Sequence, residues 1–129
     1  MKVAVEQYVS AKVAKLAKEK GFNLVTKHHY QSRQFYFCSP GHQVWIGLGK
    51  SYMYSAPSQA VLQKWIREEL GVSIKIDDFF YRRAVWYDYS ICELGAQEDA
   101  PRGQSRTYEE ALDKALYAAL LFKPSYNQD

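Results

Sequence analysis

The sequence predicts a protein of the α+β class: a single domain in which a mostly antiparallel sheet of four or five strands packs against three helices. Three segments repeat apolar residues at helical spacing. Several others are short apolar-aromatic runs or alternate apolar with polar residues, as strands do. Hairpin connections dominate between these strands, which favours an antiparallel sheet. The predicted order is α-β-β-β-α-β-β-α.

Length and composition fit one globular domain that spans residues 1–129. Of the 129 residues, 47% are hydrophobic, which is typical of a folded protein. A chain of this length buries enough surface to fold without a metal ion or a disulfide. Lys and Arg outnumber Asp and Glu by 17 to 14, and a net charge of +3 is too small to imply a nucleic-acid partner by itself.

The sequence predicts a cytoplasmic protein that does not bind membranes. It contains no run of 18 apolar residues that could span a bilayer. Glu6 falls where a signal peptide would have its apolar core. Both cysteines, Cys38 and Cys92, lie in aromatic, strand-like runs, so we expect two buried free thiols.

The first third of the chain predicts a helix followed by strands. Residues 4–20 place Val5, Val9 and Val13 on one face, and Gly21 is a natural helix end. Residues 22–30 alternate weakly and predict an edge strand.

A hairpin is predicted next. Residues 35–38 and 44–48 are strand-like and flank Ser39-Pro40-Gly41-His42, where the Pro-Gly pair is typical of a type II turn.

The middle of the chain predicts the strongest helix and two further strands. Residues 58–70 carry an apolar face, with Ser55 or Ser58 as the cap and Gly71 as the end. Val72, Ile74 and Ile76 alternate with polar residues and predict a strand. Asp77-Asp78 is predicted to begin the connection to a second strand over residues 84–94.

The last third predicts a loop and a helix. Residues 95–105 show no apolar periodicity, which predicts a mobile loop. Thr107 and Glu110 have the spacing of a capping box, and the helix that follows stops before Pro124. From these patterns we expect the following residues in the core: Val9, Val13, Val61, Leu62, Trp65, Ile66, Ile74, Ile76, Leu112 and Leu116.

The stretch Gly47-Leu48-Gly49-Lys50-Ser51 resembles the end of a phosphate-binding loop. The full motif needs a glycine five residues before Gly49, and that position is Val44. It also needs a helix that starts at Lys50-Ser51 and points its N–H groups at the phosphate, whereas an aromatic stretch ending at Pro57 follows. We therefore interpret this stretch as the end of a strand.

The chain offers weak candidates for a metal site or a nucleophile. Cys38 and His42 could present two ligands across the predicted turn, but zinc usually takes four ligands in paired short spacings. His28 and His29 are adjacent and would point to opposite faces of a strand. A Cys38–His42 nucleophile lacks an orienting third group. We predict no metal, no cofactor, no small-molecule substrate and no enzymatic activity.

One segment interleaves aromatic and basic residues, namely Phe79-Phe80-Tyr81-Arg82-Arg83. Stacking rings beside guanidinium groups can hold single-stranded nucleic acid, and Arg33, Lys50 and Lys75 could extend such a patch. Exposed Tyr and Arg also dominate protein interfaces. The alternative is structural: the rings close one end of the core, and the arginines pair with Asp77, Asp78 or Asp88. The candidate binding residues are Tyr52, Tyr54, Phe79, Phe80, Tyr81, Arg82 and Arg83.

Three further segments carry a family resemblance. They are VAKLAKEKGF (13–22), YSAPSQAVLQKWIREELGVSIKI (54–76) and TYEEALDKALYAAL (107–120). Together they resemble a family of small proteins encoded by bacteriophages and mobile elements of gut anaerobic bacteria. The resemblance implies a phage or prophage origin and the cytoplasm of a bacterial host. The resemblance covers the chain end to end, with its detailed matches in these three segments and no match over residues 79–105. It carries no catalytic residue onto this chain.

The sequence therefore predicts an accessory protein that acts by macromolecular binding. The first hypothesis is a protein-interaction module, with self-association included, that uses exposed aromatic residues. The alternative is a nucleic-acid-binding protein that uses Arg82, Arg83 and nearby lysines.

Overall fold

A computed structural model describes residues 7–24, 26, 28–31, 34–37, 53–95 and 100–122, and the fold is given for these. It confirms the α+β class. The elements in chain order are α1 (Ala11–Glu19), β1 (His28–Gln31), β2 (Gln34–Phe37), β3 (Met53–Ser55), α2 (Gln59–Trp65), a π-helical stretch (Ile66–Leu70), β4 (Val72–Tyr81), β5 (Ala84–Glu93), β6 (Ala100–Ser105) and α3 (Tyr108–Leu121).

The chain divides into two compact units, Met1–Val61 and Leu62–Asp129. The described strands form two antiparallel sheets of three, in the orders β2-β1-β3 and β4-β5-β6, rather than one sheet of four or five. The three described strands of each sheet lie within one unit, and the central strand, β1 or β5, is hydrogen-bonded on both sides. The predicted single domain stays a prediction.

Helix α1 is shorter than the predicted helix of residues 4–20. Ser10 is extended, and its hydroxyl accepts a hydrogen bond from the backbone N–H of Val13 (3.3 Å), so it caps the helix. Before the cap, Tyr8 forms an isolated antiparallel bridge with Ser58, and the N–H of Val9 donates to the carbonyl of Pro57 (3.1 Å). The sequence pattern predicts an earlier start because valines on one face suit a strand as well as a helix.

Strand β1 is central in its sheet and not the edge strand predicted over residues 22–30. His28 pairs with Phe37 of β2, and His29 pairs with Ser55 of β3. The predicted hairpin over residues 35–48 lies outside the described residues except for residues 35–37. Those residues pair with β1.

The predicted helix 58–70 is present as α2 and the π-helical stretch that continues it. It ends at Gly71, as predicted, with a left-handed φ of 69° that suits glycine. Leu62 and Ile66 are completely buried, whereas Val61 is 45% exposed, so its assignment to the core is wrong. Leu62 and Ile66, four residues apart, form the line that faces the core, and Val61 lies beside it.

The β4–β5 hairpin is longer than predicted. Asp77 and Asp78 lie inside β4, which continues to Tyr81, so the connection consists of Arg82 and Arg83 alone. Consecutive strand residues point to opposite faces, so Asp77 and Asp78 lie on opposite faces of the two-stranded ribbon that β4 and β5 form. The two consecutive aspartates suggest a turn in the sequence, but the strand continues through them.

Strand β6 occupies part of the segment predicted as a mobile loop. Gly103 pairs with Tyr89 of β5, and Ser105 pairs with Tyr87. The sequence of β6, Ala-Pro-Arg-Gly-Gln-Ser, has none of the residues that favour strands, so cross-strand pairing decides its structure.

Helix α3 packs on the sheet of the second unit and buries an apolar face. Thr107 caps it as predicted, since its hydroxyl accepts from the N–H of Glu110 (3.1 Å). In the described residues no helix is long and apolar enough to cross a membrane.

Most of the predicted core is buried. The confirmed residues are Val9, Val13, Leu62, Ile66, Leu112 and Leu116, whereas Trp65, Ile74 and Ile76 are half-buried. Cys92 is buried, as predicted, and Cys38 lies outside the described residues.

Candidate functional site

The end of the β4–β5 hairpin, residues 79–86, carries most of the predicted site; we call it the hairpin tip. Its rungs are the cross-strand pairs Phe79–Trp86, Phe80–Val85 and Tyr81–Ala84. Because side chains alternate along a strand, Phe80 and Val85 share one face of the ribbon, and Phe79 and Trp86 share the other.

The aromatic side chains at the hairpin tip are largely exposed. Phe80 is 72% exposed, Tyr81 is 53% exposed and Val85 is 44% exposed, while Phe79 is half-buried. The structural alternative, in which these rings close one end of the core, is therefore wrong for Phe80 and Tyr81. The segment predicted to be a binding surface presents its largest apolar side chain to solvent.

The turn of the hairpin is formed by two arginines in an unfavourable backbone conformation. Arg82 and Arg83 both have positive φ, 52° and 62°. A two-residue turn of this type favours Asn-Gly or Asp-Gly, since residues with a larger side chain are strained there. Both arginines are exposed, and the guanidinium carbon of Arg82 lies 5.2 Å from the ring centroid of Tyr81, a cation–π contact.

Trp86 contacts both the opposite strand of the hairpin tip and Arg106. Its indole N–H donates to the carbonyl oxygen of Tyr81 on the opposite strand (3.3 Å). The guanidinium carbon of Arg106 lies 4.7 Å from the centroid of the Trp86 ring. Sequence reasoning missed Arg106 because twenty positions separate it from Trp86, and only the pairing of β5 with β6 brings the two together.

An aromatic strip extends from the hairpin tip to the start of α3. Next to the Phe80–Val85 rung is Asp78–Tyr87, on the same face. The Tyr87 ring meets the Tyr108 ring edge to face, with centroids 6.1 Å apart and an angle of 87°. Tyr108 is itself 45% exposed, so the apolar surface does not end at the hairpin.

The charges beside the hairpin tip are mixed. Asp77 lies directly opposite Asp88 on the face that carries Phe79, and Asp78 lies on the face that carries Phe80. Arg82 and Arg83 follow the aromatic residues. Like charges in one rung destabilise a sheet, so the Asp77–Asp88 pair is not explained by the fold.

The other predicted site residues are not brought to the hairpin tip by any described contact. Tyr52, Arg33 and Lys50 lie outside the described residues, and Tyr54 belongs to β3 in the first unit. The participation of Tyr52 and Tyr54 stays a prediction. Lys75 is exposed on β4, two residues before Asp77.

The histidines lie on β1. The ring of His28 packs against Tyr8 with centroids 4.3 Å apart, whereas His29 is buried. Burial, and next the charge of His28, lower the pKa of His29 below its ordinary value of 6.5. Cys38, His42 and the stretch 47–51 lie outside the described part of the chain, and within that part no three His, Cys, Asp or Glu residues are grouped to hold a metal ion.

Comparison with known proteins returns no relative. No family model, no curated protein and no solved structure matches the chain. What the fold and the site define is an α+β protein with an exposed aromatic and basic hairpin tip.

Proposed function

We propose that this chain is a bacteriophage or prophage accessory protein that acts in the bacterial cytoplasm by binding another protein chain through the hairpin tip. The observation that carries the proposal is the exposure of Phe80 and Tyr81, at 72% and 53%, next to Val85. Phe80 and Val85 share one face of the ribbon, and Tyr81 is exposed on the opposite face. Solvated apolar side chains at the end of a hairpin are unfavourable unless a partner covers them, and such surfaces mark interaction sites. Tyr and Arg are also the residues that contribute most at protein interfaces.

The composition of the turn supports a binding role. Asn-Gly at positions 82 and 83 would fit the positive φ values with less strain than Arg-Arg does. Residues that keep a strained conformation cluster at functional sites, where the side chain is needed for something other than the turn. Two guanidinium groups beside two exposed rings suit a partner surface that is apolar with acidic residues around it.

The charges favour a protein over a nucleic acid. Stacking of bases on Phe80 and Tyr81 beside Arg82 and Arg83 is the alternative function. However, Asp77, Asp78 and Asp88 lie within five residues of the turn on the same ribbon, and their carboxylates would repel a phosphate backbone. A protein surface can complement both signs, so the mixed charge is better suited to it.

The phage or prophage origin and the cytoplasmic location rest on the three sequence segments at residues 13–22, 54–76 and 107–120. The proposed activity is binding without catalysis and without a cofactor.

Site-specific photo-crosslinking tests this proposal. A benzophenone amino acid replaces Phe80 in one variant and Leu121 in the control; Leu121 is 52% exposed at the end of α3. Both variants are expressed and irradiated in the native bacterial host. We expect protein adducts from position 80 that position 121 does not give. Adducts that nuclease removes would favour the nucleic-acid alternative, and an absence of adducts specific to position 80 would overturn both.

A further inference from the structure

Residues 77–83 have a symmetry that the fold does not require. They read Asp-Asp-Phe-Phe-Tyr-Arg-Arg, with Phe80 at the centre. One residue to either side is an aromatic ring. Two and three residues to either side are charges of opposite sign: Asp78 against Arg82, and Asp77 against Arg83. A segment with this pattern is complementary to itself when it is read in the opposite direction.

The segment also lies where a second strand can be added. Strand β4 is at the end of the sheet order β4-β5-β6, so one of its edges has no neighbour among the described strands. It is ten residues long, and Asp77, Asp78, Phe80 and Tyr81 are exposed along it. An edge strand presents N–H and C=O groups that can pair with another chain, and in a register centred on Phe80 the paired residues are Phe79, Phe80 and Tyr81, because the chain turns at Arg82.

We propose that the partner of the hairpin tip is a second copy of this chain, added antiparallel along the β4 edge with the twofold axis at Phe80. This inference rests on the proposed function and names its partner. Phe80 then lies opposite Phe80 of the second copy, and Phe79 lies opposite Tyr81. The same contact occurs twice, as a twofold interface requires.

The charges select this arrangement. In the antiparallel register centred on Phe80, Asp78 and Asp77 face Arg82 and Arg83 of the second copy, which gives four attractive pairs in the dimer. A parallel arrangement in register would place aspartate opposite aspartate and arginine opposite arginine. The arginines lie in the turn beyond the strand, so their long side chains make these contacts while the backbone pairing ends at Tyr81.

The aspartates of β4 also have a simpler explanation, which must be distinguished from self-pairing. Charged residues on an edge strand commonly prevent edge-to-edge pairing. Aspartates that only blocked pairing would need no arginines at matched distances on the other side of Phe80. With arginines at matched distances, the aspartates still repel other strands, but they attract the arginines of a second β4 strand in one register.

Charge exchange tests the dimer. One variant carries Asp77→Arg and Asp78→Arg, the other carries Arg82→Asp and Arg83→Asp, and the full-length proteins are studied by sedimentation equilibrium. We expect wild type to dimerise reversibly and each variant to weaken the dimer about tenfold or more, because every pair becomes repulsive. An equimolar mixture of the two variants should regain wild-type affinity, since each arginine then faces an aspartate.

Controls exclude misfolding as the cause. Glu68→Arg with Glu69→Arg adds the same charge outside β4 and should leave the dimer unchanged. Thermal unfolding followed by circular dichroism reports whether each variant folds, and aspartate tolerates positive φ at positions 82 and 83 better than arginine does. Regained affinity in the mixture cannot arise from two misfolded chains.

The outcomes separate this inference from the proposed function. A wild-type protein that stays monomeric at high concentration, or a mixture that stays monomeric, overturns the dimer. If position 80 then still cross-links to a different protein, the proposed function stands while the self-pairing fails. An adduct of twice the chain mass from position 80 supports both.

Discussion

Trp86 donates its indole N–H to the carbonyl oxygen of Tyr81 across the turn, at 3.3 Å. The two residues belong to opposite strands, and the strained turn of Arg82 and Arg83 lies between them. This hydrogen bond, together with the Arg106 side chain on the Trp86 ring, fixes the backbone from which Phe80 and Tyr81 project. These contacts restrain the hairpin that carries the exposed rings, and a restrained hairpin would lose less entropy in the proposed binding.

Substitution of Trp86 by Phe should loosen the hairpin tip and leave the rest of the second unit folded. The variant keeps an aromatic ring opposite Phe79 but loses the donor, so we expect the free energy of unfolding to fall by about 0.5–1 kcal/mol, as for a typical hydrogen bond. Urea unfolding measures this loss. Hydrogen exchange should become faster at the amides of residues 81–84 and stay unchanged in α3. Equal exchange at the tip in both proteins would contradict the role given to Trp86.

Replacement of the turn by Asn-Gly should stabilise the fold and weaken binding. Arg82→Asn with Arg83→Gly relieves the strain of two positive φ values, so we expect a gain of about 1 kcal/mol in the free energy of unfolding. The same variant loses two guanidinium groups, so the position-80 adducts should decrease. Arg67→Asn, at an exposed position in the π-helical stretch, is the control for loss of an arginine. A variant with lower stability than wild type would show that the turn is not strained.

Gly103 should be intolerant of a side chain because the ring of Tyr89 covers it. A Cβ atom at Gly103 would lie 2.8 Å from Cζ and 2.9 Å from the hydroxyl oxygen of Tyr89, closer than contact distance. We expect Gly103→Ala to cost about 1–3 kcal/mol in denaturant unfolding, as overpacking does. In a Tyr89→Val background the same substitution should cost much less. Additive costs in the double variant would mean that the ring does not restrict this position.

Stability of the first unit should depend on pH through His29. The pKa of His29 is lowered from 6.5 by burial and, to a lesser degree, by His28. Between the lowered pKa and 6.5 the unfolded chain binds more protons than the folded chain, so the free energy of unfolding falls as the pH is lowered through this window. Above 6.5 this contribution is fully present. His29→Gln should flatten the dependence measured by thermal unfolding below pH 6.5, and an unchanged slope would contradict the assignment.

Periodicity was sufficient for the elements whose stability is local. Helix α3, with Thr107 as its cap, and the run that ends at Gly71 carry apolar faces and end signals within a few residues, and both are present. The start of α1 at Ser10 is not predicted by periodicity, because the valines before this cap suit strands as well as helices. Strand β6 cannot be predicted from its own sequence, because it is its pairing with β5 that makes it a strand.

The residue types of the candidate site could be predicted from the sequence, whereas the solvent exposure of their side chains could not. The aromatic-basic run from Phe79 to Arg83 is visible in the sequence, whereas the exposure of Phe80 depends on how far β4 continues beyond Asp78. The aspartates suggested a turn, and the strand instead carries the rings outward to the end of the ribbon. Residues that contact the site only in the folded structure, such as Arg106, cannot be recognised from the sequence around Trp86.

The π-helical stretch Ile66–Leu70 has a consequence for the length of the chain. Its hydrogen bonds join residues five apart instead of four, so each turn contains about one residue more than an α-helical turn. The π-helical stretch therefore contains one residue more than an α-helix would need between α2 and Gly71. Removal of one exposed residue there, such as Glu68 or Glu69, lets the backbone return to α-helical pitch without shortening β4. A variant that is one residue shorter is therefore best accommodated at this point of the fold.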